Sequence, residues 1–135
     1  MIVDCAHYRD GKRQHEGKLP LDVAQNCVVG DGDFVWIGLF EPSKEELQDV
    51  GERFDLHELA LEDAYHAHQR PKLEDYDDSY FIVLRPARYD DAREEVEFGE
   101  IMLFISSTYV IAVRHGAASE LTGVRKGLES HPELL

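Results

Sequence analysis

LHELALEDAYHAHQRPK, Leu56 to Lys72, is the stretch where a helical pattern and a polar one collide. With Leu56 at the centre of a helical face, Leu59, Ala60, Asp63, Ala64 and Ala67 fall on one stripe, and Asp63 lies near its middle. A carboxylate inside an apolar stripe is costly unless something pairs with it. Pro71 disfavours the helical conformation at the residue before it, so the spacing predicts a helix running from Leu56 to Gln69.

Ahead of that helix, Ser43-Lys44-Glu45-Glu46 is a capping-box pattern, and Leu47, Val50 and Phe54 follow at helical spacing. Phe34 to Phe40 is apolar and aromatic enough for a buried strand, introduced by the turn residues Gly30 to Asp33. Ile2 to Tyr8 reads as a first strand, turning at Arg9 to Lys12 into a short second one, with a short helix over Pro20 to Asn26.

Beyond Pro71 the pattern turns to strands: Tyr80 to Tyr89, Val96 to Ser106 and Tyr109 to His115. Their short connections make them antiparallel neighbours. Ile101 to Ile105 is apolar on both faces, which predicts a central strand covered by helices on both sides. Ala118 to Glu129 reads as a last helix, weakened by Gly123 and Gly127. The expected fold is a single α/β domain over residues 1–135, a layered α/β/α arrangement with a mixed, largely antiparallel sheet.

Composition narrows the function. The chain of 135 residues has 28 acidic against 14 basic residues, a formal net charge of −14. That charge argues against nucleic acid and anionic membrane surfaces as partners, and is compatible with attracting cations or with simple solubility. Cys5 and Cys27 form no disulfide framework and match no zinc spacing, so a reducing compartment is the default. No signal-peptide pattern opens the chain, and its longest apolar runs are strand-length, well short of the roughly 20 residues of a spanning helix. Catalytic signatures are missing as well. There is no Gly-x-Ser-x-Gly elbow, phosphate-cradling glycine loop or His-Glu-x-x-His, and neither cysteine has a basic context, so no enzymatic activity is expected.

In order, these motifs form a set. Leu56-His57-x-Leu59-x-Leu61-Glu62-Asp63-Ala64 and His68-Gln69-Arg70-Pro71-Lys72 follow Phe34-Val35-Trp36-Ile37 and Pro42. After them come Tyr80 to Arg85, Gly99-Glu100-Ile101, Tyr109 to Gly116 and Pro132 to Leu135. The set resembles the cytoplasmic N-terminal domain of CorA-like magnesium and cobalt transport proteins, most clearly from Phe34 onward. In that family such a domain precedes stalk helices and two transmembrane helices with a Gly-Met-Asn loop. No such tripeptide occurs here, and the resemblance implies a piece of a transporter without stalk or pore. It further implies a homopentamer of the full-length protein at the cytoplasmic face of the cell membrane, with neighbouring subunits and divalent cations as partners.

The resemblance places regulatory Mg2+ on Asp63, at an interface with a carboxylate of the neighbouring subunit, and assigns Glu62 to a second, weaker position. One or two carboxylates suit magnesium, a hard cation that keeps several of its waters. The plain alternatives are a capping or backbone-bonded Asp63 and a solvated Glu62. His66 and His68, two apart, point to different sides of a helix; Glu62 and His66 are better placed for zinc but lack a third ligand. His68, Arg70 and Lys72 are expected to anchor the helix end. Glu74, Asp75, Asp77 and Asp78 read as a solvated turn, as do the acidic residues from Asp90 to Glu97. Two other functions fit the same residues: the matching domain of a zinc transporter in the same superfamily, and a stand-alone metal-binding module or metal-dependent enzyme. The last requires a pocket with at least three convergent ligands.

Overall fold

Large side chains alternate along Asp33–Phe40 (β3) and Tyr109–Gly116 (β8), and the two strands lie side by side in parallel, Val35 beside Tyr109 through Phe40 beside Arg114. The computed structural model describes residues 1–66, 69–117 and 121–135. On one side, Ile2–Arg9 (β1) pairs antiparallel with β3, and Lys12–Arg13 (β2) with β1. On the other, Glu95–Ile105 (β7), Tyr80–Leu84 (β5) and Lys72–Asp75 (β4) follow β8 as antiparallel neighbours. Ala87–Asp90 (β6) pairs with the far end of β7. Only the seam between β3 and β8 is parallel among the described pairings, so the sheet is mixed and largely antiparallel as expected.

Period-two alternation gives the sheet two chemically different faces. Val35, Ile37, Leu39, Phe81, Val83, Met102, Phe104, Ile111 and Val113 line the first, where Leu21–Ala24 (α1), Lys44–Arg53 (α2) and Glu58–Tyr65 (α3) cover them. The capping box at Ser43 and Glu46 forms as expected and fixes where α2 starts. At Gly51 α2 and α3 come so close that a Cβ would lie 2.3 Å from the Leu61 side chain.

Thr122–Glu129 (α4) and the 3-10 turn Pro132–Leu134 lie on the second face, against Tyr8, Trp36 and Phe34. Arg125 holds α4 there: its guanidinium sits 4.4 Å over the Trp36 ring and bonds Asp4, which also receives the Arg13 fork at 3.0 and 3.0 Å. Tyr8 donates to Glu129 at 2.5 Å. Eight helical residues reach only about 12 Å. Coverage on this face therefore stops short of β5 and β4, where Leu73 (65% exposed), Tyr80 (47%) and Leu84 (46%) stay open.

Several elements differ from the sequence expectation. The run Tyr80 to Tyr89 is two strands, because Pro86 has no N–H for the ladder and its carbonyl instead accepts from Gly99 (2.9 Å). Glu74 and Asp75 belong to a strand, β4, and not to the turn, which spans Tyr76 to Ser79. The stretch Ile101 to Ile105 is central, but Leu103 and Ile105 are only half-buried on the face that α4 fails to reach. The last helix starts at Thr122; Ala118, where the expected helix began, lies outside the described residues.

β1 is the penultimate strand on its side, and β2 covers only its end. Beyond β2 the chain folds back along β1: Gln14 N–H donates to the His7 carbonyl (3.0 Å) and Leu19 N–H to that of Cys5 (2.9 Å). Between them the His7 N–H donates to Nε2 of His15 at 3.0 Å, so an imidazole fills a place normally taken by a backbone carbonyl.

The β1–β2 connection has Asp10 and Gly11 both at positive φ (51° and 78°), the two-residue turn whose twist matches a hairpin. A Cβ on Gly11 would lie 2.2 Å from the Pro132 carbonyl oxygen. Gly11→Ala is expected to cost about 1–3 kcal/mol through strain and collision with backbone; urea denaturation reads it. Asp33, buried, accepts from Arg9 (2.8 Å), His7 (3.3 Å) and Val29 N–H (3.3 Å), and its bond to the Arg9 guanidinium leads the interactions that hold its carboxyl down to about 2. A depressed pKa contributes stability that is complete above the ordinary carboxylate value and is lost as pH falls towards the folded one. Asp33→Asn therefore lowers stability at neutral pH and flattens the acid-unfolding profile between about pH 4 and pH 2, as denaturant midpoints across that range will show.

Candidate cation-binding site

Helix α3 is short and pinned at both ends. Leu56, just before it, is buried and donates its N–H to the Gly51 carbonyl (2.9 Å). His57 is the N-cap, its Nδ1 accepting from Leu59 N–H at 3.2 Å. The helix stops at Tyr65, not near Gln69, because His66 takes an extended conformation (φ −87°, ψ 117°). His115, from the end of β8, then donates through Nε2 to the Ala64 carbonyl at 3.0 Å, satisfying one of the helix's last acceptors. Ala67 and His68, counted respectively in the expected stripe and at the helix end, lie outside the described residues.

The buried face of α3 is rotated from the one the spacing suggested. Ala60 and Ala64 are buried and Leu61 is partly so, whereas Leu59 is 61% exposed. Asp63 accordingly sits at the margin of the buried face. Its alternatives, a cap or a backbone-bonded core aspartate, are both replaced by an ion pair: Lys72 Nζ donates to Asp63 Oδ2 at 2.5 Å. Among the described residues Lys72 meets the last turn of α3 through the Asp63 carboxylate, projecting to it from β4.

The same ammonium lies 2.5 Å from Oε1 of Glu74. Lys72 and Glu74 are two apart on β4, hence on the same face, opposite Val83 and Phe81. Oε2 of Glu74 accepts from the Tyr76 hydroxyl, and the Tyr76 ring stacks on His57 with centroids 4.1 Å apart. A continuous chain of contacts thus runs from Asp63 through Lys72, Glu74 and Tyr76 back to the N-cap of α3. Its electrostatics agree: the hydrogen bonds to Asp63 and then Glu74 raise the Lys72 pKa, and the bond to Lys72 lowers that of Glu74. The Glu74 bond also pushes the Tyr76 phenol up to about 12. Sequence reasoning missed this arrangement; the one signal available was the alternation Lys72-x-Glu74-x-Tyr76, which is a strand pattern.

Glu62 and Asp63 are not brought together. Glu62 is exposed and lines a groove of about 540 Å³ between α2 and α3, beside Glu52, Asp55, Glu58 and His66. Its floor is apolar, made by Leu47, Leu56 and Leu61. Among the described residues, no three His, Cys, Asp or Glu side chains are placed to hold a metal ion. The other acidic residues serve their own turns: Asp75 accepts from Asp77 N–H (2.9 Å) and Asp90 from Ala92 N–H (3.0 Å). Burial pushes the Cys5 thiol up to about 11 and raises that of Cys27, which keeps both protonated at neutral pH.

Residues 31–133 match the family described as CorA-like Mg2+ transporter protein. The cobalt/magnesium transport protein CorA of Thermotoga maritima is 33% identical over 92 residues, which is 67% of this chain and 26% of that protein. The chain thus spans about a quarter of the length of that relative. Among solved structures, the complete CorA magnesium transporter from Methanocaldococcus jannaschii superposes with a TM-score of 0.64 at 16% identity, covering 99% of this chain and 39% of that one. The ZntB cytoplasmic domain from Vibrio parahaemolyticus gives a TM-score of 0.64 at 12% identity, over 97% of this chain and 50% of that one. At these identities the superpositions establish the fold. Among the described residues, no helix is long and apolar enough to cross a membrane.

The rotated face of α3 makes a direct prediction. Leu59→Ala will change stability by less than about 0.5 kcal/mol, whereas Leu56→Ala, buried under α2, will cost about 2–5 kcal/mol. Paired urea titrations of the two variants check it; similar losses would mean that Leu59 is buried after all.

Proposed function

The chain belongs to the CorA-like Mg2+ transporter family, and from that premise we propose that it is the cytoplasmic regulatory domain of a divalent-cation channel for Mg2+ and Co2+. In this reading Asp63 binds regulatory Mg2+ between neighbouring subunits of a homopentamer. The supporting observation is the state of Asp63 itself: its side chain is 31% exposed at the edge of α3, and its carboxylate already holds a positive charge. Oδ2 takes the Lys72 ammonium, and Oδ1 makes no hydrogen bond among the described residues. A single carboxylate from this chain fits magnesium's habit of keeping waters and accepting few protein ligands, with a second carboxylate coming from the neighbouring subunit.

The exposed Leu59, one turn before Asp63, gives the same helix edge an apolar contact for a neighbour. Glu62 faces the α2–α3 groove and would serve a second, weaker position. Regulation then follows from linkage. A cation bound between subunits in the closed ring stabilises that ring by its differential affinity for it. When Mg2+ falls, facing carboxylates repel and the closed arrangement loses population.

The test is Mg2+ flux through the complete transporter in liposomes, wild type against Asp63→Ala. The variant is expected to need several-fold more internal Mg2+ to close. Equal closing concentrations would remove Asp63 from the sensor, and flux of Zn2+ in preference to Mg2+ would move the assignment to the zinc branch.

A further inference from the structure

Lys72 is built into the carboxylate that a sensing cation would use. Its ammonium is 2.5 Å from Asp63 Oδ2 and 2.5 Å from Glu74 Oε1, so the two carboxylates approach within twice that distance of each other. Each component of this cage is held from outside. The Lys72 stem rises from β4 with its ammonium 5.7 Å from the Phe81 ring centroid. Glu74 is fixed by the Tyr76 hydroxyl, and Tyr76 by its stack on His57. The Lys72 and Asp63 side chains are each 31% exposed, so the pair lies within reach of ions in solution.

We propose that Lys72 is the tethered competitor of the Asp63 site: its ammonium neutralises Asp63 when no divalent cation is bound, and its displacement sets how much Mg2+ the site requires. The inference deepens the regulatory reading above and rests on it for the identity of the cation. The physical reason is competition at one carboxylate. A divalent ion approaching Asp63 meets a monovalent charge that cannot diffuse away, and its repulsion by that charge is relieved only in the fraction of molecules where the ammonium has swung off. Displaced, the ammonium keeps Glu74 as its partner, so release does not strand a charge. A cage of this kind weakens binding without altering the ligands, which places the threshold at high cation concentration.

The experiment uses Mn2+ as a paramagnetic probe on the complete transporter, in which the neighbouring subunit's carboxylate is present, with binding read by electron paramagnetic resonance. Lys72→Met keeps the stem and removes the charge; it is expected to bind Mn2+ on the order of five- to tenfold more tightly than wild type. Adding Asp63→Asn should abolish that gain, and Lys72→Arg should stay near wild type. Affinity in Lys72→Met equal to or weaker than wild type, or a gain that survives Asp63→Asn, overturns the proposal.

A second measurement needs no substitution. In Mg2+ titrations of the complete wild-type transporter followed by NMR, the Lys72 Cε and Nζ signals should move in step with the Asp63 carboxyl carbon. Lys72 signals that stay still while the carboxyl saturates also overturn it. The two proposals separate cleanly. A gain in Lys72→Met together with an unchanged flux threshold in Asp63→Ala would sink the sensor role and leave the competitor intact. The reverse pair of results would do the opposite.

Discussion

Six residue pairs in parallel register, Val35 with Tyr109 to Phe40 with Arg114, hold together two halves of the sheet that are otherwise built separately. The N-terminal half is β2, β1 and β3; the other is the antiparallel meander from β4 to β8. A parallel pair needs a long crossover, and here α2, α3 and the meander are that crossover. The seam also sends both strands out at the same end of the sheet. There Glu41 N–H donates to the Arg114 carbonyl (2.9 Å), Arg114 lies 5.2 Å from the Phe40 ring, and His115 reaches the Ala64 carbonyl of α3. The position of α3, and with it Asp63, is thus inherited from the β3–β8 register.

The electrostatic design follows from composition. In a chain with twice as many acids as bases, the few cations are inserted where layers meet. Arg13 and Arg125 converge on Asp4, tying α4 to β1; burial would raise the Asp4 pKa, but these guanidiniums outweigh it and the carboxyl is held below its ordinary value. Lys72 plays the matching part between α3 and β4. Arg13 and Lys72 each reach two carboxylates, Asp4 and Glu129 in one case and Asp63 and Glu74 in the other, which keeps partly buried negative charge tolerable.

Much of this was legible before any coordinates. The capping box set the start of α2, strand-length apolar runs set β3, β7 and β8, and the order of motifs pointed to the family. What escaped has a common cause: it depends on residues distant in sequence. The last turn of α3 is capped by His115, 51 positions away from Ala64. Its buried face is decided by α2, which packs through Gly51 against Leu61 and leaves Leu59 outside. β4 looked like a turn because its charges were read as solvated, when Lys72 and Glu74 satisfy each other above an apolar ring. The partner of Asp63, Lys72, comes from the next strand, where a periodicity argument along one helix could not find it.

The segment after β2 that folds back along β1 bears on self-association. Unpaired strand edges are templates for adding another chain. On this side the peptide groups of Cys5 and His7 are already taken by Leu19, Gln14 and His15. At the opposite border stands β4, four residues long with three of them charged, a poor template for extension. Copies of this chain are thereby discouraged from joining sheet to sheet into open-ended fibrils. Association of copies is left to side-chain surfaces, away from the backbone of either border.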